Sequence, residues 1–183
     1  MKIKKTIFKN LLEIKYKKHL DSRGTLVKIF NKLNNDKFKN ECYESYVSTS
    51  QKGSSRGLHA QKGKYAQDKL IYCAQGRILD VAIDVRKNSN TYGKIYKKTI
   101  SSYNNIALFV PKGFMHGMIA LENQTIIVMY CSKPYNSKSE YGVRLDDMFK
   151  NKKKLKLIIS EKDKKLPTPV SYTHLTLPTK RIV

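Results

Sequence analysis

The stretch Lys69-Leu-Ile-Tyr-Cys-Ala-Gln-Gly-Arg-Ile-Leu-Asp-Val-Ala-Ile-Asp-Val85 decides the fold class. β-Branched and aromatic residues fill both flanks, and Gln75-Gly76 interrupts them, so the segment reads as two strands joined by a tight turn. In the second strand Leu79, Val81, Ile83 and Val85 share one face, whereas Asp80, Ala82, Asp84 and Arg86 share the other. Carboxylates on a strand need solvent or partners, so this second face either borders a polar cavity or is exposed.

Outward from there, short β-rich runs separated by Gly, Asn, Ser and Pro extend from about Leu26 to Ser132, with weak helical periodicity. Residues 105–110 and 124–130 suggest a second pair of strands, and Pro111 and Gly113 mark a turn between them. An all-β antiparallel sandwich or barrel with a few short helices follows. From Asp146 the chain becomes lysine-rich around an apolar Leu155-Lys-Leu-Ile-Ile159 insert, and beyond Leu166 prolines and threonines fall without pattern. Residues 1–169 therefore read as one domain and residues 170–183 as a disordered tail. Most of that tail, residues 171–183, resembles a cloning or reading-frame scar.

A length of 183 residues suits one domain with a real core and is too short for two ordinary ones. The net charge of +23 raises nucleic-acid binding, because cations on a protein release counterions from phosphates. The lysines are scattered along the whole chain, however, and no recognised binding module accompanies them, so nucleic acid is not the expected partner. A small anion such as a diphosphate would still be attracted. No apolar run reaches the length of a membrane span. The basic start is interrupted by Lys5, Lys9, Glu13 and Lys15 and lacks a signal-peptide core, so cytoplasmic residence is expected.

Cys42, Cys73 and Cys131 match neither a disulfide framework nor a zinc pattern and are expected as buried thiols. A metal-binding barrel of this class needs a His-x-His pair, a carboxylate and a further His. Here His59 is followed by Ala60 and Gln61, and the chain has only four histidines, His19 and His174 among them. Neither a metal nor another cofactor is expected.

Four segments stand out together: Asp21-Ser-Arg-Gly24, Arg56-Gly-Leu-His59, Pro111-Lys-Gly-Phe-Met-His-Gly117 and Ser160-Glu-Lys-Asp163. Gln67-Asp-Lys-Leu70, Asp80-Val-Ala-Ile-Asp-Val-Arg86 and Ser89-Asn-Thr-Tyr-Gly93 accompany them. Their order and spacing over residues 10–167 resemble the dTDP-4-dehydrorhamnose 3,5-epimerase family, and the combination is more specific than any one motif. The resemblance implies a cupin-type jelly roll, a homodimer, and cofactor-independent epimerisation at C3 and C5 of a nucleotide-linked 4-keto-6-deoxyhexose. Such a reaction belongs to deoxysugar biosynthesis for cell-surface polysaccharide.

Epimerising a carbon beside a ketone requires a base, a group that holds the enolate, and an acid on the opposite face. By resemblance His59 is the base, and Asp163 is the carboxylate that orients it and stabilises the imidazolium. A satisfied structural histidine is the bland alternative for His59. Lys69 matches the family's lysine, whose ammonium could stabilise charge on the carbonyl oxygen, although a surface lysine would look the same in this sequence. Tyr130 matches the acid tyrosine, with core packing as the alternative. Arg23, Arg56 and His116 match positions that bind the diphosphate or sugar, and arginine's planar fork suits phosphate. Tyr135 matches a base-stacking aromatic. Glu140 and Lys162 match ligand-contacting positions, with a one-residue gap falling between Tyr130 and Tyr135.

The departures concern the substrate. Glu44 and Tyr46 stand where the family usually has a Gln-x-Asn pair, Lys28 where it has a glutamate, and Ala60 where it is usually aromatic. Arg56-Gly-Leu-His-Ala60 also resembles the sugar-nucleotide 3,4-ketoisomerases, which usually carry a second histidine where Gln61 stands. A non-catalytic barrel that binds sugar nucleotides is the third alternative.

Overall fold

Strands carry nearly all the regular structure of the computed structural model, which describes residues 1–29, 42–148 and 156–169. In chain order they are β1 (Lys2–Lys5), β2 (Leu12–Lys15), β3 (Lys18–Asp21), β4 (Gly24–Val27) and β5 (Glu44–Ser50). Next come β6 (Ser54–Gln61), β7 (Lys69–Gln75), β8 (Arg77–Asp84), β9 (Ile95–Ser101) and β10 (Ile106–Val110). The last are β11 (Phe114–Ala120), β12 (Thr125–Cys131), β13 (Glu140–Gly142) and β14 (Ile158–Ile159). Among the described residues the helices are three single 3-10 turns and α1 (Glu161–Lys164). The strand-rich region therefore starts well before Leu26, where composition suggested its beginning.

The first sheet runs β1-β2-β10-β7-β12-β5, the second runs β13-β6-β11-β8-β9, and β3 and β4 form a separate hairpin. All pairings are antiparallel except β14, which lies parallel to β6. The two sheets face each other as a jelly roll. Between them lies a core that includes Ile71, Leu108 and Ile127 from the first sheet and Ile78, Ile100 and Met118 from the second. Fully burying such a side chain is worth about 1.5–3 kcal/mol, which makes this interlayer the main source of stability.

The expected hairpin across Gln75-Gly76 is corrected by this topology. β7 and β8 belong to opposite sheets, so the turn is a corner that carries the chain from one layer to the other. Gly76 makes the corner possible at φ 74, where a Cβ would come within 2.6 Å of Thr125 Oγ1. The second expected pair is corrected likewise. β10 and β12 flank β7 on either side, and the motif between them turns at Pro111-Lys-Gly113 and then enters β11 in the other sheet.

Both faces of β8 are inside. Asp80 and Asp84 are fully buried, and Val81 and Ile83 pack in a separate cluster with Met115 and Leu145. Asp84 is held by Arg86 at 2.6 and 2.8 Å, by Ser89 and by Thr91, so its carboxylate has partners in place of water. Cys73 and Cys131 are buried thiols as expected, whereas Cys42 is only half-buried. Residues 170–183 lie outside the described residues, as does the first part of the lysine-rich insert, and β14 and α1 form immediately after it.

Candidate active site

A cavity of about 690 Å³ opens between the sheets, a size suited to a ligand larger than a simple sugar. His59 enters it from β6 and Lys69 from β7, that is, from opposite walls. Arg56, His116, Lys162 and Asp163 also line it. A smaller recess of about 280 Å³ shares Tyr46, His59 and Lys69 with it and adds Glu44, Tyr135 and Glu140.

Local sequence explains how Asp163 reaches His59 across more than a hundred residues. Ile158 and Ile159 lie beside Ser54 and Ser55 of β6, which brings the following turn to that strand. Ser160 then caps α1 by accepting the Asp163 N–H at 3.1 Å. Asp163 Oδ1 lies 2.8 Å from His59 Nε2, and its Oδ2 accepts the Gly57 N–H at 3.0 Å. Gly57 holds φ 97, and a Cβ there would meet His116 O at 2.7 Å, so the backbone can approach β11 this closely only without a side chain.

Burial alone would raise the Asp163 pKa. The hydrogen bonds from His59 and the Gly57 N–H, with the imidazole's charge, outweigh it and hold the carboxyl below its usual range. An ionised carboxylate only accepts, so His59 donates to it through Nε2, and in the neutral ring the lone pair then stands on Nδ1. Nδ1 stands 3.9 Å from Glu140 Oε1, too far for a hydrogen bond. That nitrogen is free to take a proton.

His116 lies directly opposite His59 in the β6–β11 register and shares its face. Its Nε2 meets both Asp80 oxygens, at 3.0 and 2.9 Å, and the pair is sealed, with side-chain exposures of 4% and 0%. Arg56 reaches Ser50 Oγ only at 3.4–3.5 Å, which leaves most of its guanidinium donors for a ligand. Lys69 has no hydrogen-bond or ion-pair partner among the described residues, and burial lowers its pKa. A half-buried ammonium without a partner favours an anion or a developing oxyanion.

At the recess, Lys162 pairs closely with Glu140, and its ammonium also donates to Tyr135 Oη at 3.2 Å. The Tyr135 N–H donates to Glu44 at 2.8 Å, so these four residues form one connected rim. Tyr135 is 50% exposed, and the Lys162 ammonium lies over its ring, 5.5 Å from the centroid.

Two expected site residues are not brought to this pocket. Tyr130, expected as the acid, is the first, and it is absent from the lining of both the cavity and the recess. β12 buries Thr125, Ile127, Met129 and Cys131 toward the interlayer. Tyr130 therefore points outward and packs on a cluster containing Leu70, Tyr72 and Phe109. A strand alternates faces, so a match displaced by one residue places the side chain on the wrong side of the sheet. Arg23 is the second. It sits on the turn of the β3–β4 hairpin with 87% of its side chain exposed and pairs with Asp21 at 2.7 Å.

Sequence reasoning missed two participants. Asp80 was assigned to a face but given no partner, and Tyr46 was noted only as a departure from the family. A phenol standing where the family usually has an amide was itself the available signal. Among the described residues, no group of three or more His, Cys, Asp or Glu side chains could hold a metal ion.

Comparison with known proteins agrees with this geometry. The family model described as dTDP-4-dehydrorhamnose 3,5-epimerase matches residues 5–169. The enzyme of that name from Sinorhizobium fredii is 37% identical over 134 residues, covering 69% of each chain. Its counterpart from Shigella flexneri is 35% identical over 150 residues, covering 80% of this chain and 83% of its own. The crystal structure of the enzyme from Elizabethkingia anophelis superimposes with a TM-score of 0.80 at 34% identity, over 92% of this chain and 96% of that one. With a shared fold, the motif residues gathered around one interlayer cavity and a match along nearly the whole described length, the chain belongs to the dTDP-4-dehydrorhamnose 3,5-epimerase family.

Proposed function

We propose that this protein epimerises C3, C5 or both in a nucleotide-diphosphate-linked 4-keto-6-deoxyhexose, as its relatives' names describe. The observation that carries the reading is the pairing across the cavity of a base with its tautomer set, His59–Asp163, and an unpartnered ammonium, Lys69. His59 Nδ1 removes the proton α to the ketone, and the electron pair moves to the carbonyl oxygen, where Lys69 stabilises the enolate. Asp163 stabilises the imidazolium. Arg56 and His116 hold the diphosphate and sugar, and Tyr135, Glu140 and Lys162 hold the nucleotide end. No step in this scheme calls for a cofactor.

The reading extends to the assembly. The β3–β4 hairpin exposes Leu20 and Leu26 and carries Arg23 at its turn, away from the chain's own cavity. A homodimer would cover those apolar side chains and offer Arg23 to the diphosphate bound by the second copy. Light scattering at micromolar concentration tests this, and a monomer contradicts it. The site of work is the cytoplasm, where three free thiols persist. Residues 1–169 form the working unit, so truncation after Pro169 leaves turnover unchanged.

The direct test follows solvent deuterium into dTDP-4-keto-6-deoxyglucose by NMR. Incorporation at C3 or C5 together with the inverted product is expected. A chain that binds the sugar nucleotide without exchange is a binding barrel, and that result overturns the proposal.

A further inference from the structure

The epimerisation proposed above leaves one role unfilled, because Tyr130 faces away from the cavity. A carbon inverts only if the proton returns on the face opposite the base. That donor must therefore stand on the wall opposite His59, which enters from the second sheet. From the first sheet, Tyr46, Val47, Ser48, Lys69, Ile127 and Met129 contribute to the cavity. Lys69 is committed to the carbonyl oxygen in the proposed scheme. A serine hydroxyl is a far weaker acid than a phenol, and the side chains of Val47, Ile127 and Met129 carry no acidic proton. Cys131 reaches only the recess, and its residue exposure is 2%.

We propose that Tyr46 is the catalytic acid of this enzyme, donating its phenolic proton to the enolate carbon on the face opposite His59. Tyr46 pairs in register with Met129, so both side chains project from the same face into the cavity. Its Oη lies 2.8 Å from Met129 Sδ. A thioether is a weak acceptor, which leaves the phenolic proton available to a substrate. The residue as a whole is 41% exposed. Its hydroxyl is nonetheless crowded enough that burial, with the neighbouring Cys131 and Glu44, raises its pKa, and the charge of Arg56 opposes that rise. The phenol thus stays protonated at neutral pH, and the phenolate formed in turnover has a cation near it.

The step balances without a co-reactant. The enolate's C=C pair forms the new C–H bond, the Tyr46 O–H bond breaks, and the carbonyl is restored. The phenolate then takes a proton from water, and the imidazolium releases one to water.

This inference rests on the proposed epimerase activity, and the test separates the two. Wild type, Tyr46→Phe and Tyr130→Phe are compared for deuterium exchange and for net inversion of dTDP-4-keto-6-deoxyglucose. Tyr46→Phe is expected to lose inversion by roughly 10²- to 10⁴-fold while keeping most of its exchange, because abstraction and return on the His59 face survive. Tyr130→Phe is expected to keep both. The double variant Tyr46→Phe with Met129→Tyr, which moves the phenol to its register partner, is expected to recover part of the lost inversion. Normal inversion by Tyr46→Phe overturns the assignment, as does loss of inversion in Tyr130→Phe with no loss in Tyr46→Phe. A wild type without exchange overturns the epimerase reading, and this inference falls with it. Unfolding of Tyr46→Phe, seen by circular dichroism, shifts the decision to a Tyr46→His variant. Loss of inversion there, in a folded protein with exchange intact, supports the phenol, whereas inversion at the wild-type rate overturns the assignment. Loss of both exchange and inversion in that folded variant overturns the assignment.

Discussion

Two imidazole–carboxylate pairs stand side by side in this barrel. His59–Asp163 and His116–Asp80 occupy facing positions of β6 and β11 and have nearly the same hydrogen-bond lengths. They differ in access. The His59 side chain is 23% exposed, and its second nitrogen has no hydrogen-bond partner among the described residues, whereas His116 is 4% exposed beside a fully buried Asp80. An open pair can exchange protons with a ligand and with water. A sealed pair can only anchor a ring and present a fixed surface. In the proposed reaction the open pair is the base, and the sealed pair holds a fixed imidazole at the cavity wall.

The comparison breaks most decisively at His59. His59→Asn is expected to lower both exchange and inversion by about 10²- to 10⁴-fold with an unchanged circular dichroism spectrum. Equal loss in His116→Asn with full stability would make the two pairs equivalent and undo the distinction.

Asp80→Ala should have its first effect on folding. Removing one partner of a buried pair strands the other, at about 3–5 kcal/mol, read as a lower urea midpoint. A fully stable Asp80→Ala protein would show that His116 is held by packing alone.

The acid limb of stability sharpens the other side. The Asp163 pKa is held below its unfolded value, so its contribution is complete above the ordinary carboxylate range and is lost as pH falls through the folded value. Asp163→Asn should flatten that part of the melting-temperature profile between about pH 5 and pH 2. Arg86 and its neighbours keep Asp84 low in the same way, so some acid sensitivity persists in the variant.

The smallest expected effect belongs to Lys69, a charge with neither kind of partner among the described residues. Its folded pKa is lowered, so at neutral pH the folded state bears the cost of holding it charged. Lys69→Met should stabilise the protein by about 0.5–2 kcal/mol while reducing turnover. A destabilised Lys69→Met protein would mean that the ammonium has a partner in the folded state.

Much of this was legible in the chain itself. The strand runs, the turn residues and the motifs from Arg56-Gly-Leu-His59 to Ser160-Glu-Lys-Asp163 specify an all-β barrel and nominate His59, Asp163 and Lys69, because side-chain chemistry and spacing are local properties. Pairing is not local. Nothing in Lys69–Gln75 and Arg77–Asp84 says that they part into opposite sheets at Gly76, since a hairpin and an interlayer corner ask for the same turn residue. Facing was equally hidden in Thr125–Cys131, whose nearly continuous apolar run has no polar alternation to reveal which residues point inward. Only the packed sheets decide that Met129 enters the cavity, that Tyr130 leaves it and that Tyr46 stands across from His59. A side chain's direction in a strand depends on a register set by contacts distant in sequence.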